Sequence, residues 1–287
     1  MLRRRVLPLL AFVLAAQAVA APAAAQAPPA AETPPAADQS HDPCGGAGRL
    51  LATLNRPTVG YSACAIPRGT VVLEEGYQIN AQGGPAASVY AQYPQGFERV
   101  GVAKRFELDL IGPNVNRLST AAGLSTGLSD MGAGFKYEFQ PKTRFTYAVD
   151  GLYTAPTGAA AFTAGGPTET LNLDVAYALS PSVGLGTTLA AVSTGGARQD
   201  GTFGRFGAFD PSFVVTAQMP HEYQLYAELV GQSRIAPDLG GRWYTDFGVQ
   251  KLVGRDFEID VEEGVDFTPV LGSRFTYTGV GFGVLLP

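Results

Sequence analysis

From Thr70 onward the chain alternates apolar and polar positions in strand-length runs, about one every dozen residues. In Thr168 to Leu179, residues Leu171, Leu173, Val175, Tyr177 and Leu179 share one face. Thr168, Thr170, Asn172, Asp174, Ala176 and Ala178 share the other. Met131, Ala133, Phe135, Tyr137 and Phe139 oppose Asp130, Gly132, Gly134, Lys136 and Glu138, and Phe257, Ile259 and Val261 oppose Asp256, Glu258, Asp260 and Glu262. Side chains in a strand change face at every residue, so each run has one oily wall and one wet wall. Several runs are about 9–11 residues long, the reach of a tilted membrane strand, whereas soluble strands run nearer 5–6.

The pattern predicts about twelve strands, near 70–80, 86–103, 106–112, 130–139, 144–154, 168–179, 183–193, 204–217, 222–232, 240–252, 256–267 and 274–285. The second is ragged, because Tyr90, Tyr93 and Pro94 interrupt it and Arg99 breaks its polarity. Connectors alternate in length. Short ones read Lys104-Arg105, Gln140-Pro141-Lys142-Thr143, Leu179-Ser180-Pro181-Ser182, Met219-Pro220-His221-Glu222 and Val253-Gly254-Arg255-Asp256. Looser, Gly-rich stretches lie between them at 113–129, 155–167, 194–203 and 233–239. Short turns at one end and long loops at the other describe a transmembrane antiparallel up-and-down β-barrel, all-β, with 70–287 as the barrel domain.

The start of the chain agrees with export. Arg3, Arg4 and Arg5 precede an apolar run from Val6 to Val19, followed by small residues at Ala18-Val19-Ala20 and Ala23-Ala24-Ala25. This is the pattern of a secretory signal peptide, read as 1–25; the run is too short for a membrane anchor and no charged stop follows it. Residues 26–43 are dominated by Ala and Pro and are expected to be a disordered leader. Residues 44–69 are expected to form a periplasmic segment holding the only two cysteines, Cys44 and Cys64. An even pair in an oxidising compartment predicts a disulfide. Metal binding is the weaker alternative, since only His41 stands nearby, and neither a metal nor a cofactor is expected.

Charge narrows the partners. The whole chain carries −5, and removing a signal with three Arg and no acid leaves −8. That balance disfavours nucleic acid and anionic lipid as charge-recognised partners. The expected location is the outer membrane of a Gram-negative envelope. The expected partners are its lipid, the barrel assembly machinery and small-molecule solutes.

The segment Asn55-Arg56-Pro57-Thr58-Val59-Gly60-Tyr61-Ser62-Ala63-Cys64, with Ile66-Pro67-Arg68-Gly69-Thr70-Val71-Val72-Leu73-Glu74-Glu75-Gly76-Tyr77, resembles the opening of the outer-membrane β-barrel transporter family labelled meta-pathway of phenol degradation. Gly127-Leu128-Ser129-Asp130 leading into Met131-Gly132-Ala133-Gly134-Phe135-Lys136-Tyr137-Glu138-Phe139 is similar to that family's Gly-Leu-x-Asp loop and aromatic strand. The resemblance covers most of the chain after Arg56. It implies a barrel with a role in uptake of small, including aromatic, compounds, and it brings no catalytic residues. One departure is the C-terminus, Gly283-Val284-Leu285-Leu286-Pro287, where such barrels commonly end in an aromatic residue.

Any function must reside on the wet wall. Its lumen-lining candidates are Glu74, Glu107, Asp109, Lys136, Glu138, Arg144, Asp150, Asp174, Glu222, Glu228, Arg242, Asp246, Glu258, Asp260 and Glu262. Charges facing lipid would cost about 2–4 kcal/mol for Arg or Lys at the midplane, so they are expected to point inward. Two readings stay open. An acid-biased polar lumen would favour cations or neutral polar solutes; a network of ion pairs would plug a narrow barrel. Twelve strands lie between filled eight-stranded barrels and open sixteen-stranded porins, and strand number leans toward the pore. Catalysis is not expected. Ser182 and His221 sit in separate turns with nothing to orient them, and the ladder Asp256, Glu258, Asp260, Glu262 suits a channel wall better than paired catalytic carboxylates. The expected function is passive uptake of small molecules, with a non-conducting structural barrel or surface receptor as the alternative.

Overall fold

The computed structural model describes residues 42–45, 48–84, 87–142 and 144–287. The expected signal peptide and nearly all of the expected leader lie outside the described residues. Twelve strands form the barrel: β1 (Val71–Gln82), β3 (Phe97–Ala103), β4 (Phe106–Ile111), β7 (Met131–Lys142), β8 (Phe145–Ala155), β9 (Thr168–Ala178), β10 (Val183–Ala197), β11 (Phe203–Met219), β12 (Tyr223–Gln232), β13 (Arg242–Val253), β14 (Phe257–Asp266) and β15 (Phe275–Leu286). Each is antiparallel to the next, and β1 pairs with β15 from Val71 opposite Leu286 to Gln82 opposite Phe275. That last ladder closes the ring and leaves it no open edge.

Three further strands, β2 (Ser88–Tyr93), β5 (Val115–Thr120) and β6 (Gly123–Leu128), build on the upper part of β1. They extend the long-loop end. Pro94-Gln95-Gly96 separates β2 from β3, and Gly112-Pro113-Asn114 separates β4 from β5. A proline has no N–H to give the ladder, so pairing lapses at both places and resumes above. The loop expected over 113–129 is therefore a β-hairpin. It escaped the polarity pattern because most positions on both of its faces are exposed, so its sequence has no oily wall to display.

The wall is polar inside and apolar outside. Val261 is 53% exposed, whereas its neighbours Asp260 and Glu262 are each 3% exposed. Leu108, Leu110, Phe135, Leu171, Leu173, Phe213, Phe247 and Ile259 also face outward. A soluble sheet protein would place these residues in its core; here they make the surface that lipid covers. Among the described residues no helix is long and apolar enough to cross a membrane.

The segment after Cys44 departs from expectation. It does not stand beside the barrel in the periplasm but threads its lumen. A short helix, α1 (Arg49–Thr53), carries Leu50 and Leu51, which join Leu54, Ile66, Val72 and Leu252 in a small apolar core near the short-turn end, with Leu285 against it. Cys44 and Cys64 form a disulfide with Cα atoms 5.4 Å apart.

Candidate functional site: the occupied lumen

Residues 55–66 belong to no strand, so their backbone N–H groups have no sheet partner. A buried N–H must be satisfied somewhere. The wall supplies the acceptors. Glu74 accepts from the N–H groups of Asn55 and Arg56 at 2.8 and 2.7 Å. Glu228 accepts from Val59 and Gly60, both at 2.8 Å. The Thr188 hydroxyl accepts from Tyr61 at 2.8 Å, Glu138 from Ala65 at 2.9 Å and Glu107 from Ile66 at 2.7 Å. Four of the expected lumen carboxylates thus act as a replacement ladder for a threaded peptide.

Cations complete the arrangement. Arg99 donates to Glu107 at 2.8 Å, to Glu74 at 3.2 Å, to the Cys64 carbonyl at 3.1 Å and to the Thr53 carbonyl. Lys136 donates to the Ser62 carbonyl at 2.7 Å and lies 3.8 Å from both Glu107 and Asp150. Arg56 reaches Asp260 at 3.2 Å and Glu262 at 3.6 Å. It can do so because the wall beside it is bare: a methyl group at Gly76 or Gly281 would lie 2.5 Å from its guanidinium.

The remaining candidates fall as follows. Asp109 is buried 4.0 Å from Arg99. Asp150 accepts from Asn172 at 2.9 Å and Asp174 from the Thr188 hydroxyl at 2.7 Å. Asp246 accepts from the Tyr277 hydroxyl, and Glu258 is buried. Arg242 lies 4.2 Å from the Phe275 ring centre and donates to Gln232. Two residues are not on the inner wall. Arg144 is exposed in the turn before β8, so Thr146 is the first inward position of that strand. Glu222 is exposed in the 3-10 turn after β11 and pairs with Lys251 at 3.5 Å.

Sequence reasoning missed the role of Arg99, taking it only as a break in polarity. The signal was present: the tight turn at Lys104-Arg105 sets the register of β3 on β4 and places Arg99 opposite Asp109, beside Glu107. Arg56 and the acceptors Thr188 and Glu228 could not be paired from the sequence, because they meet across 127 to 204 residues of chain.

The lumen is filled unevenly. Along β9, β10 and β11 several inward positions are small, among them Ala176, Gly184, Gly186, Ala190 and Ser212. Two cavities remain there. One of about 340 Å³ reaches the turn at Ser180-Pro181-Ser182 and runs up past Ala176 and Gly186. The other, about 190 Å³, lies toward the long loops between Leu152, Ala190, Val230 and Tyr244. Gly60 and Tyr61 line both. Among the described residues no group of three His, Cys, Asp or Glu could hold a metal. The Ser182 hydroxyl faces that of Ser180 at 3.4 Å, and His221 is exposed in its turn.

No family model and no curated protein sequence matches the chain. Solved structures do. The COG4313 outer membrane channel from Pseudomonas putida F1 is 14% identical, with 78% of this chain and 98% of that chain covered and a TM-score of 0.56. The NanC porin is 11% identical over 73% of this chain and 98% of its own, at 0.49. The translocator domain of the autotransporter NalP from Neisseria meningitidis is 9% identical over 75% of this chain and 88% of its own, also at 0.49. The likeness to the Pseudomonas channel is one of fold: a closed, antiparallel membrane barrel of the outer-membrane kind.

Proposed function

We propose that the chain is an outer-membrane channel for passive uptake of small molecules, aromatic or other small polar compounds, and that its threaded N-terminal segment restricts the bore. One observation carries this: two cavities remain in the lumen along β9–β11, and Gly60 and Tyr61 of the threaded segment line both. A structural barrel would gain nothing from leaving that side hollow, since unfilled volume forfeits packing contacts. The resemblance of the Arg56–Tyr77 region to the phenol-degradation transporters supports an aromatic cargo. The fold likeness to a protein named an outer membrane channel supports the location. Outer-membrane lipid and the barrel assembly machinery are the partners such a location requires.

The ion-paired side favours a second reading, a plugged barrel that does not conduct. Liposome swelling with a panel of sugars and aromatic solutes separates the two. Swelling above that of empty vesicles is expected for the channel; a folded, heat-modifiable protein that passes no solute refutes it.

A further inference from the structure

The two halves of the lumen make different offers to a solute. On the side of β1, β3, β4 and β7, Glu74, Arg99, Glu107 and Lys136 are each fully buried in one another and in the threaded segment. A solute entering there would have to break charged pairs in a dry interior, at high cost. On the side of β9–β11 the two cavities provide room already, and of the five residues of irregular backbone from Pro57 to Tyr61, Thr58 lines the larger cavity, Val59 the smaller, and Gly60 and Tyr61 both. On one flank of these five, Arg56 is bound to Asp260 and Gln95. On the other, Ser62 is bound to Lys136 and Cys64 to Arg99 and the disulfide. Between those anchors the stretch is fastened to the wall by three N–H groups, two on Glu228 and one on Thr188. It sits close: a methyl at Gly60 would overlap the Ser212 hydroxyl and lie 2.9 Å from the Glu228 carboxylate, so only glycine lets the clasp shut.

We infer that solutes cross along the β9–β11 wall, that the 57–61 stretch clasped by Glu228 and Thr188 is the barrier they must displace, and that this lane passes small uncharged solutes rather than anions. This rests on the channel reading and deepens it. The charge preference follows from what the lane displays. Its cation, Arg56, is already held by Asp260, and its other charged members, Asp42 and Asp210, are carboxylates that accept from the Cys44 and Ser233 N–H groups. An anion leaving water would find small neutral side chains, carboxylates and, among the described residues, no free cation, which opposes its entry. An uncharged molecule loses only hydrogen bonds that Thr216, Gln218 and Gln224 around the larger cavity and Asn172 around the smaller can return.

The test uses the full-length protein in liposomes, with folding of every variant checked by heat-modifiable migration. Arabinose is the uncharged probe and potassium glucuronate the charged one. Ala176→Trp fills the larger cavity and Ala190→Trp the smaller; each is expected to slow arabinose swelling at least fivefold. If tryptophan prevents folding, Ala190→Cys serves. The only native cysteines form the disulfide, so benzyl methanethiosulfonate would label the new thiol alone and should slow arabinose to the same extent. Glu228→Gln and Gly60→Ala loosen the clasp and are expected to speed arabinose at least threefold, with glucuronate remaining at least tenfold slower. Folded Trp or labelled Cys variants that swell at the wild-type rate would put the lane elsewhere while leaving the channel reading intact. Equal rates for the two probes in Glu228→Gln would overturn the charge preference. Absence of swelling in the folded wild type would remove the channel reading itself.

Discussion

Arg99 has five close polar partners and is fully buried, and it joins two neighbouring strands of the wall to Thr53 and Cys64 of the threaded segment. Removing a buried cation leaves its carboxylates uncompensated, which costs far more than the pair contributes net. Arg99→Met is therefore expected to lower stability by about 3–5 kcal/mol in urea unfolding from lipid vesicles. A loss under about 1 kcal/mol would mean that Glu74 and Glu107 find other donors or protonate. Arg99→Lys should recover only part of the loss, since one ammonium cannot span the fork that reaches Glu74, Glu107 and two carbonyls at once. Inward residues such as Asp150 and Glu258 were legible from alternation alone. Their partners were not, because alternation gives a side chain's face and not what stands across the lumen.

At the scale of elements, the threaded segment and the β5–β6 hairpin behave differently from the strands. The disulfide closes a loop with a sequence separation of 20 around α1. In the chain-entropy model that is worth about 3 kcal/mol. Cys44→Ser with Cys64→Ser is expected to expose the 44–69 segment to protease while the barrel stays heat-modifiable; a segment as resistant as wild type would assign its hold to Arg99 and Glu228 alone. The β5–β6 hairpin adds to the rim without closing the ring, which β4 and β7 complete below it. Replacing 115–128 with a short Gly-Ser turn should leave folding intact, as read by the gel shift. Failure to fold would give the hairpin a role in closure. The sequence announced the barrel strands because each has one lipid wall. It was silent about this hairpin, whose two faces are both wet.

For the whole molecule, inside-out polarity leads to an outcome contrary to the one composition suggests. An acidic lumen predicts that neutralising Asp260 and Glu262 would weaken cation preference. In the folded protein these two carboxylates hold Arg56, which anchors one flank of the barrier. Asp260→Asn with Glu262→Gln is instead expected to raise conductance in planar bilayers severalfold while changing the reversal potential little. A large shift in reversal potential with unchanged conductance would restore the acidic bore.

The sequence by itself determined the closed antiparallel barrel. A period of two, repeated in runs of membrane length with short and long connectors in turn, can be buried in lipid in one way only. It also determined the face of charges well inside a strand, such as Asp150 and Glu258, since face is a local property there, but not that of Arg144 and Glu222, which lie in turns. Only the tertiary structure decided what fills the bore. The N-terminal segment carries no periodicity of its own, and its N–H groups reach Glu74, Glu107, Glu138, Thr188 and Glu228 only after the strands bearing them have closed into a ring.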